Sequence, residues 1–149
     1  MKGSFFYLCI LLIGMGLLTG CKAKKVSMAS FSDLYGEWSV VELNGNSLAP
    51  DVTRPVLNLD VARLELSGST GCNRLMGKIE YRKDHPSIIR FLQVATTRRA
   101  CSNENVEPEF LEALNRVVRF RSQNETAPFT EIAFYGANNA KLMVLTKQK

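Results

Sequence analysis

The sequence predicts a β-rich α+β domain: a curved antiparallel sheet or incomplete β-barrel of about seven or eight strands, with one helix packed against it. Three observations carry this. Short runs rich in β-branched and aromatic residues recur along the chain, each bounded by Gly, Pro, Asn or Asp. One stretch alone, around residues 107–119, spaces its apolar residues at helical period. The chain is 149 residues long, 46% hydrophobic and 22% charged. That bounds it to one modest globular domain and excludes disordered, collagen-like, coiled-coil and multi-span membrane classes.

Residues 1–20, MKGSFFYLCILLIGMGLLTG, fall outside that domain. Lys2 supplies a positive start, and Phe5 to Leu18 is an apolar run broken only by Gly14 and Gly16. This is the pattern of a removed secretory signal peptide. The run is shorter than the roughly 20 residues of a membrane-spanning helix. It closes on Leu18-Thr19-Gly20-Cys21, which resembles the bacterial lipobox. The resemblance implies cleavage before Cys21, acylation of its thiol and amine, and a domain held at a bilayer by acyl chains. Lys22, not Asp, follows Cys21, which points to the outer membrane, facing periplasm or surface. Residues 21–30 then form the lipidated Cys and a flexible basic tether, and residues 31–149 the folded domain.

The formal net charge is +5, which on its face invites a nucleic-acid partner. Its placement removes that reading. Lys2 belongs to the signal peptide, and Lys22, Lys24 and Lys25 to the tether, while every acidic residue follows residue 31. The domain itself is within one charge of neutral, and the basic residues serve export and an anionic membrane surface.

Within the domain, Glu37 to Leu43 reads as a strand ending at Asn44-Gly45, a type I′ hairpin signal. Val56–Asp60 and Arg63–Leu66 read as two more, with a turn or bulge near Asp60–Ala62 where the apolar alternation changes phase. Gly77–Lys83 places Ile79 and Tyr81 on one face, and residues 84–87 turn the chain. Ile88–Val94 is apolar on both faces, which predicts a central, covered strand. The helix opens with Pro108 among Glu107, Glu109 and Glu112, and carries Phe110, Leu111, Leu114, Val117 and Val118 on one face. Arg116 and Arg119 near its end suit the macrodipole. Phe129–Tyr135 and Lys141–Thr146 flank Gly136–Asn139 as a closing hairpin. Short turns make these strands antiparallel, and a sheet curved in this way often encloses an apolar groove.

Cys9 leaves with the signal peptide and Cys21 takes the lipid, so Cys72 and Cys101 remain. Two cysteines in an exported domain favour one disulfide, worth about 3.5 kcal/mol for a loop of this length. Two free thiols and a metal pair are the alternatives. The metal reading is the weakest, because His85 is the sole histidine and no CxxC spacing occurs.

Two stretches carry more than their secondary structure needs: Ser67-Gly68-Ser69-Thr70-Gly71-Cys72-Asn73-Arg74-Leu75-Met76-Gly77 and Thr96-Thr97-Arg98-Arg99-Ala100-Cys101. With Gly36-Glu37-Trp38, Asn44-Gly45 and the helix Glu107–Leu114, they resemble the META domain, the family of HslJ-like bacterial lipoproteins. The resemblance spans about residues 34–146 and implies a role in envelope and heat stress. In the loop, Gly68, Gly71 and Gly77 permit positive φ, and Asn73 can bond neighbouring backbone. Gly71, Asn73, Arg74, Gly77, Thr97 and Arg98 are the candidate functional loop: either a small cationic site at the Cys pair or a stapled turn.

Chemistry for catalysis is missing from the pattern. His85 sits in a polar turn, the acids are scattered or explained by the helix start, and no nucleophile, phosphate-loop or metalloprotease motif occurs. No catalytic residue, metal or cofactor is expected. Trp38 reads as a core anchor. Arg90, Arg116, Arg119 and Arg121 read as a solvated face. The expected protein is a lipid-anchored, non-enzymatic envelope module that binds a hydrophobic ligand or an envelope protein. A pilot-like docking lipoprotein and a protease-inhibitor-like module, the latter using a protruding Asn73–Met76 loop, are the alternatives.

Overall fold

The computed structural model describes residues 28–50, 53–101 and 106–149. The signal peptide, Cys21 and the tether up to residue 27 lie outside the described residues. A 3-10 turn at Phe31–Leu34 leads into β1 (Gly36–Leu43), β2 (Asn46–Ser47), β3 (Val56–Asp60), β4 (Glu65–Ser69), β5 (Arg74–Tyr81) and β6 (Ile89–Thr96). One helix, α1 (Glu107–Asn115), precedes β7 (Arg119–Ser122), β8 (Glu131–Tyr135) and β9 (Lys141–Lys147). The sheet runs β6-β5-β4-β3-β1-β9-β8-β7, with β2 paired to β1, and every pairing is antiparallel.

The sheet curls until its two end strands meet at one point. Ile88 bridges Arg119, the Ile89 N–H donates to Val118 O at 3.2 Å, and the Phe120 N–H donates to Ser87 O at 3.0 Å. Beyond that point α1 takes the place of further pairing and packs on β6, β1 and β9. The result is the half-barrel with a single helix that the strand pattern predicts. Bulges supply the curvature. Between Met76 and Lys78 of β5, the partner strand β6 carries an extra residue, and Gln93 there has φ +53°.

The interior is filled by side chains. Trp38, Phe110, Phe120, Phe134, Leu34 and Ile132 are among its fully buried members. Trp38 is the anchor the sequence indicates. Its indole N–H donates to Leu34 O at 2.7 Å, tying the 3-10 turn to the core, and the Lys147 ammonium sits 5.1 Å from the ring centroid. The first hairpin uses its Asn-Gly pair as expected, with φ +48° and +85°.

Three expectations are corrected. β6 is not central: it ends the sheet order, and Leu92 on its outer face is 45% exposed. Leu92 therefore faces solvent, while Ile88 is half-buried and Val94, past the bulge at Gln93, packs against the core. Leu64 is not in a strand; it occupies the β3–β4 turn at φ +56°, and β4 begins at Glu65. The helix ends at Asn115, so Val117 reaches the core from the connection to β7. β7 carries no sequence signal, because Arg-Phe-Arg-Ser offers one apolar residue, Phe120, and no run.

Truncating Trp38 to Ala removes the largest core side chain and its anchoring bond. The expected loss is about 3–5 kcal/mol of unfolding free energy, read by urea denaturation. A loss under about 1 kcal/mol contradicts the anchor role.

Candidate functional site

The Thr70–Asn73 turn joins β4 to β5. Gly71 has φ +95°, and a Cβ there would collide with Thr53 O, so only glycine closes this turn. The Thr70 N–H donates to Asn73 O, and the Asn73 N–H returns a bond to Thr70 Oγ1, both at 2.9 Å. Cys72, at the tip, is joined by a disulfide to Cys101, with Cα atoms 5.9 Å apart.

The Asn73 side chain is buried, at 4% exposure, and fully used. Its Oδ1 accepts from the Thr97 hydroxyl at 2.9 Å and from the Arg99 N–H at 2.8 Å. Its Nδ2 donates to Glu107 Oε2 at 2.9 Å and to Arg99 O at 3.3 Å. The buried Thr70 hydroxyl donates to the same Glu107 oxygen at 2.7 Å. Thr97 accepts from the Arg74 N–H at 3.0 Å. One carboxamide thus ties the β4–β5 turn, the segment after β6 and the start of α1. In a low-dielectric setting such a network is stable only when every member is satisfied.

Of the candidate residues, Gly71, Asn73 and Thr97 therefore meet at one point beside the disulfide. Arg74 and Arg98 do not: both are exposed at its rim. Arg99 bonds Cys72 O at 3.2 Å through its guanidinium. Gly77 is also elsewhere. It lies inside β5 at ordinary strand φ, and its missing Cβ leaves room for Leu92 O across the bulge. Gly68 is in β4, at φ +148° against Val56 O. The Asn73–Met76 segment does not protrude, since Asn73 is buried and Arg74–Met76 pair with β4 and β6.

Glu107 is the member the sequence reading missed. Its position at the helix start explains it locally, and nothing in the chain before it announces a partner thirty-odd residues away. A carboxylate at a helix N-terminus is favoured by the dipole in any case, which hides the second role.

A shallow recess of about 650 Å³ opens beside this knot, lined by Thr97, Arg98, Arg99, Cys101, Glu107 and Leu111 among others. A second, more apolar groove of about 400 Å³ lies at the β6–β7 meeting point, lined by Met28, Ala29, Pro86, Ser87, Phe120 and Arg121. His85 belongs to neither. It sits exposed, 3.6 Å from Asp84. That carboxylate is engaged by Arg82 at 2.6 Å, a hydrogen bond that holds it below the usual carboxylate range.

The fold and knot define a class: a small open barrel closed by one helix, its β4–β5 turn stapled by a disulfide to the segment after β6 and tied to the helix start by a buried Asn-Thr-Glu network. The chain belongs to the META domain family, whose model matches residues 32–149. META domains are not a known enzyme family. Among solved structures, an NMR structure of a protein from Burkholderia xenovorans matches with TM-score 0.59 and 21% identity, over 80% of this chain and 86% of that one. A crystal structure of a DUF4847 family protein from Bacteroides vulgatus matches with TM-score 0.55 and 15% identity, over 78% and 94%. Both likenesses concern the fold alone. Comparison with curated proteins returns no match.

Asn73→Ala leaves the Arg99 N–H and the Thr97 hydroxyl without their buried acceptor. The expected cost is about 1–3 kcal/mol in urea denaturation of the oxidised domain, against about 0.5 kcal/mol or less for Arg98→Ala. Equal effects would make the knot incidental.

Proposed function

We propose that this META-domain protein is a lipid-anchored, non-enzymatic binding module of the bacterial envelope, engaged in the response to heat and envelope stress. The observation that carries the anchor is Leu18-Thr19-Gly20-Cys21 closing the apolar run Phe5–Leu18. Among the described residues no helix is long and apolar enough to cross a membrane. The stress link rests on the likeness to HslJ-like lipoproteins.

Binding is supported by surface rather than interior features, because core side chains fill the barrel. The apolar groove at the β6–β7 meeting point exceeds the roughly 300 Å³ at which small-ligand pockets begin. Met28 and Ala29 form part of its wall, so it lies where the tether joins the domain. A hydrophobic segment or a lipid chain fits that chemistry. Pilot-like docking draws less support: Met76 and Leu92, on the outer face of β5 and β6, are exposed but stand among Arg74, Lys78, Glu80 and Arg90, and scattered apolar residues are ordinary surface. Inhibition by a projecting Asn73–Met76 loop draws no support, since Arg74–Met76 are paired into the sheet.

Cys21→Ala should shift the protein from the membrane fraction to the soluble one. Continued membrane fractionation of that variant would refute the anchor. Native mass spectrometry of the purified domain should show a co-purified apolar ligand, and a ligand-free domain from several preparations would favour docking.

A further inference from the structure

The Cys72–Cys101 bridge has a third neighbour that no staple requires. The two sulfurs and the Glu107 carboxylate lie within 4.8 Å of one another, and Cys101 Sγ is 3.6 Å from Glu107 Oε2. The geometry points to a latent zinc site: once the disulfide is reduced, the two thiolates and the Glu107 carboxylate bind one Zn²⁺, with the fourth position open to water.

Reduction by a dithiol supplies two electrons and two protons. The S–S bond breaks, each sulfur takes a proton, and the dithiol closes to its own cyclic disulfide. Both thiols lose those protons when the cation binds. Two sulfurs at about 2.3 Å from one zinc stand about 3.8 Å apart in a tetrahedral site, an opening of about 2 Å from a bonded pair.

The surroundings suit that ligand set. Asn73 Nδ2, which donates to Glu107 Oε2 at 2.9 Å, also lies 3.4 Å from Cys101 Sγ and 3.8 Å from Cys72 Sγ, so its positive edge faces all three ligand atoms. The Thr70 hydroxyl, 2.7 Å from Glu107 Oε2, fixes the carboxylate. Such outer contacts orient ligands and strengthen metal sites. The recess of about 650 Å³ gives the cation a path from solvent. His and Cys spacing along the chain gives no sign of this site, because the carboxylate arrives only through folding.

The test is titration of the dithiol-reduced domain with Co²⁺, which reports thiolate ligation by sulfur-to-metal charge-transfer absorption, followed by displacement with Zn²⁺. The expected result is one equivalent bound, absorption abolished by Cys101→Ser, and affinity lowered at least about tenfold by Glu107→Gln. Circular dichroism of each variant shows whether it is folded. Absence of the charge-transfer band in the reduced domain overturns the site. So does a band of equal affinity in Glu107→Gln or in the urea-unfolded chain, either of which assigns the metal to the cysteines alone.

Discussion

Asn73 presents a single carboxamide to three stretches of chain that are distant in sequence. Its oxygen holds Thr97 and the Arg99 amide, and its nitrogen holds Glu107 and the Arg99 carbonyl. The group is buried, so each of these bonds replaces water that cannot reach it, and each unmade bond would leave an uncompensated polar atom. The turn geometry, the exit of β6 and the placement of α1 are therefore coupled. Gly71 is needed for the turn that aims Asn73, and the disulfide holds the tip of that turn against the segment Asn73 reads.

The barrel depends on that coupling. Its end strands pair only around Ile88 and Arg119, and the remaining gap is covered by α1. The helix buries Phe110, Ala113 and Leu114 against the sheet. Its start is held by Glu107 in the knot and by Glu109, which accepts from Asn44 of the first hairpin at 2.9 Å. A nine-residue helix is marginal alone, so tertiary fixation at its N-terminus supports its role as closure. A packed interior follows, and with it the shift of any binding function to the outside of the barrel.

Much of this was legible in the chain. Asn44-Gly45, the alternation in Val56–Asp60 and the apolar stripe of α1 encode local preferences, and local preferences survive into the fold. The glycines and cysteines of the motif marked where the site is. What it does structurally was partly hidden. Gly77 has the composition of a turn, yet serves a strand facing a bulge. Ile88–Val94 has the composition of a buried strand, yet lies at the sheet edge, where Leu92 faces water. Glu107 was concealed because helix starts favour acids with or without a tertiary partner. β7 was concealed because strand alternation needs more than one apolar residue to show. These are contacts between residues far apart in sequence, and periodicity carries no record of them.

Asn73 makes the turn, the post-β6 segment and the helix start one cooperative unit. Amide hydrogen exchange at Arg99 tests it most directly, because its N–H donates to Asn73 Oδ1 while the residue itself sits in an exposed segment. The Arg99 amide should exchange as slowly as the amides of β1 and β9, opening only with the domain. Exchange as fast as that of its neighbour Arg98 would contradict it.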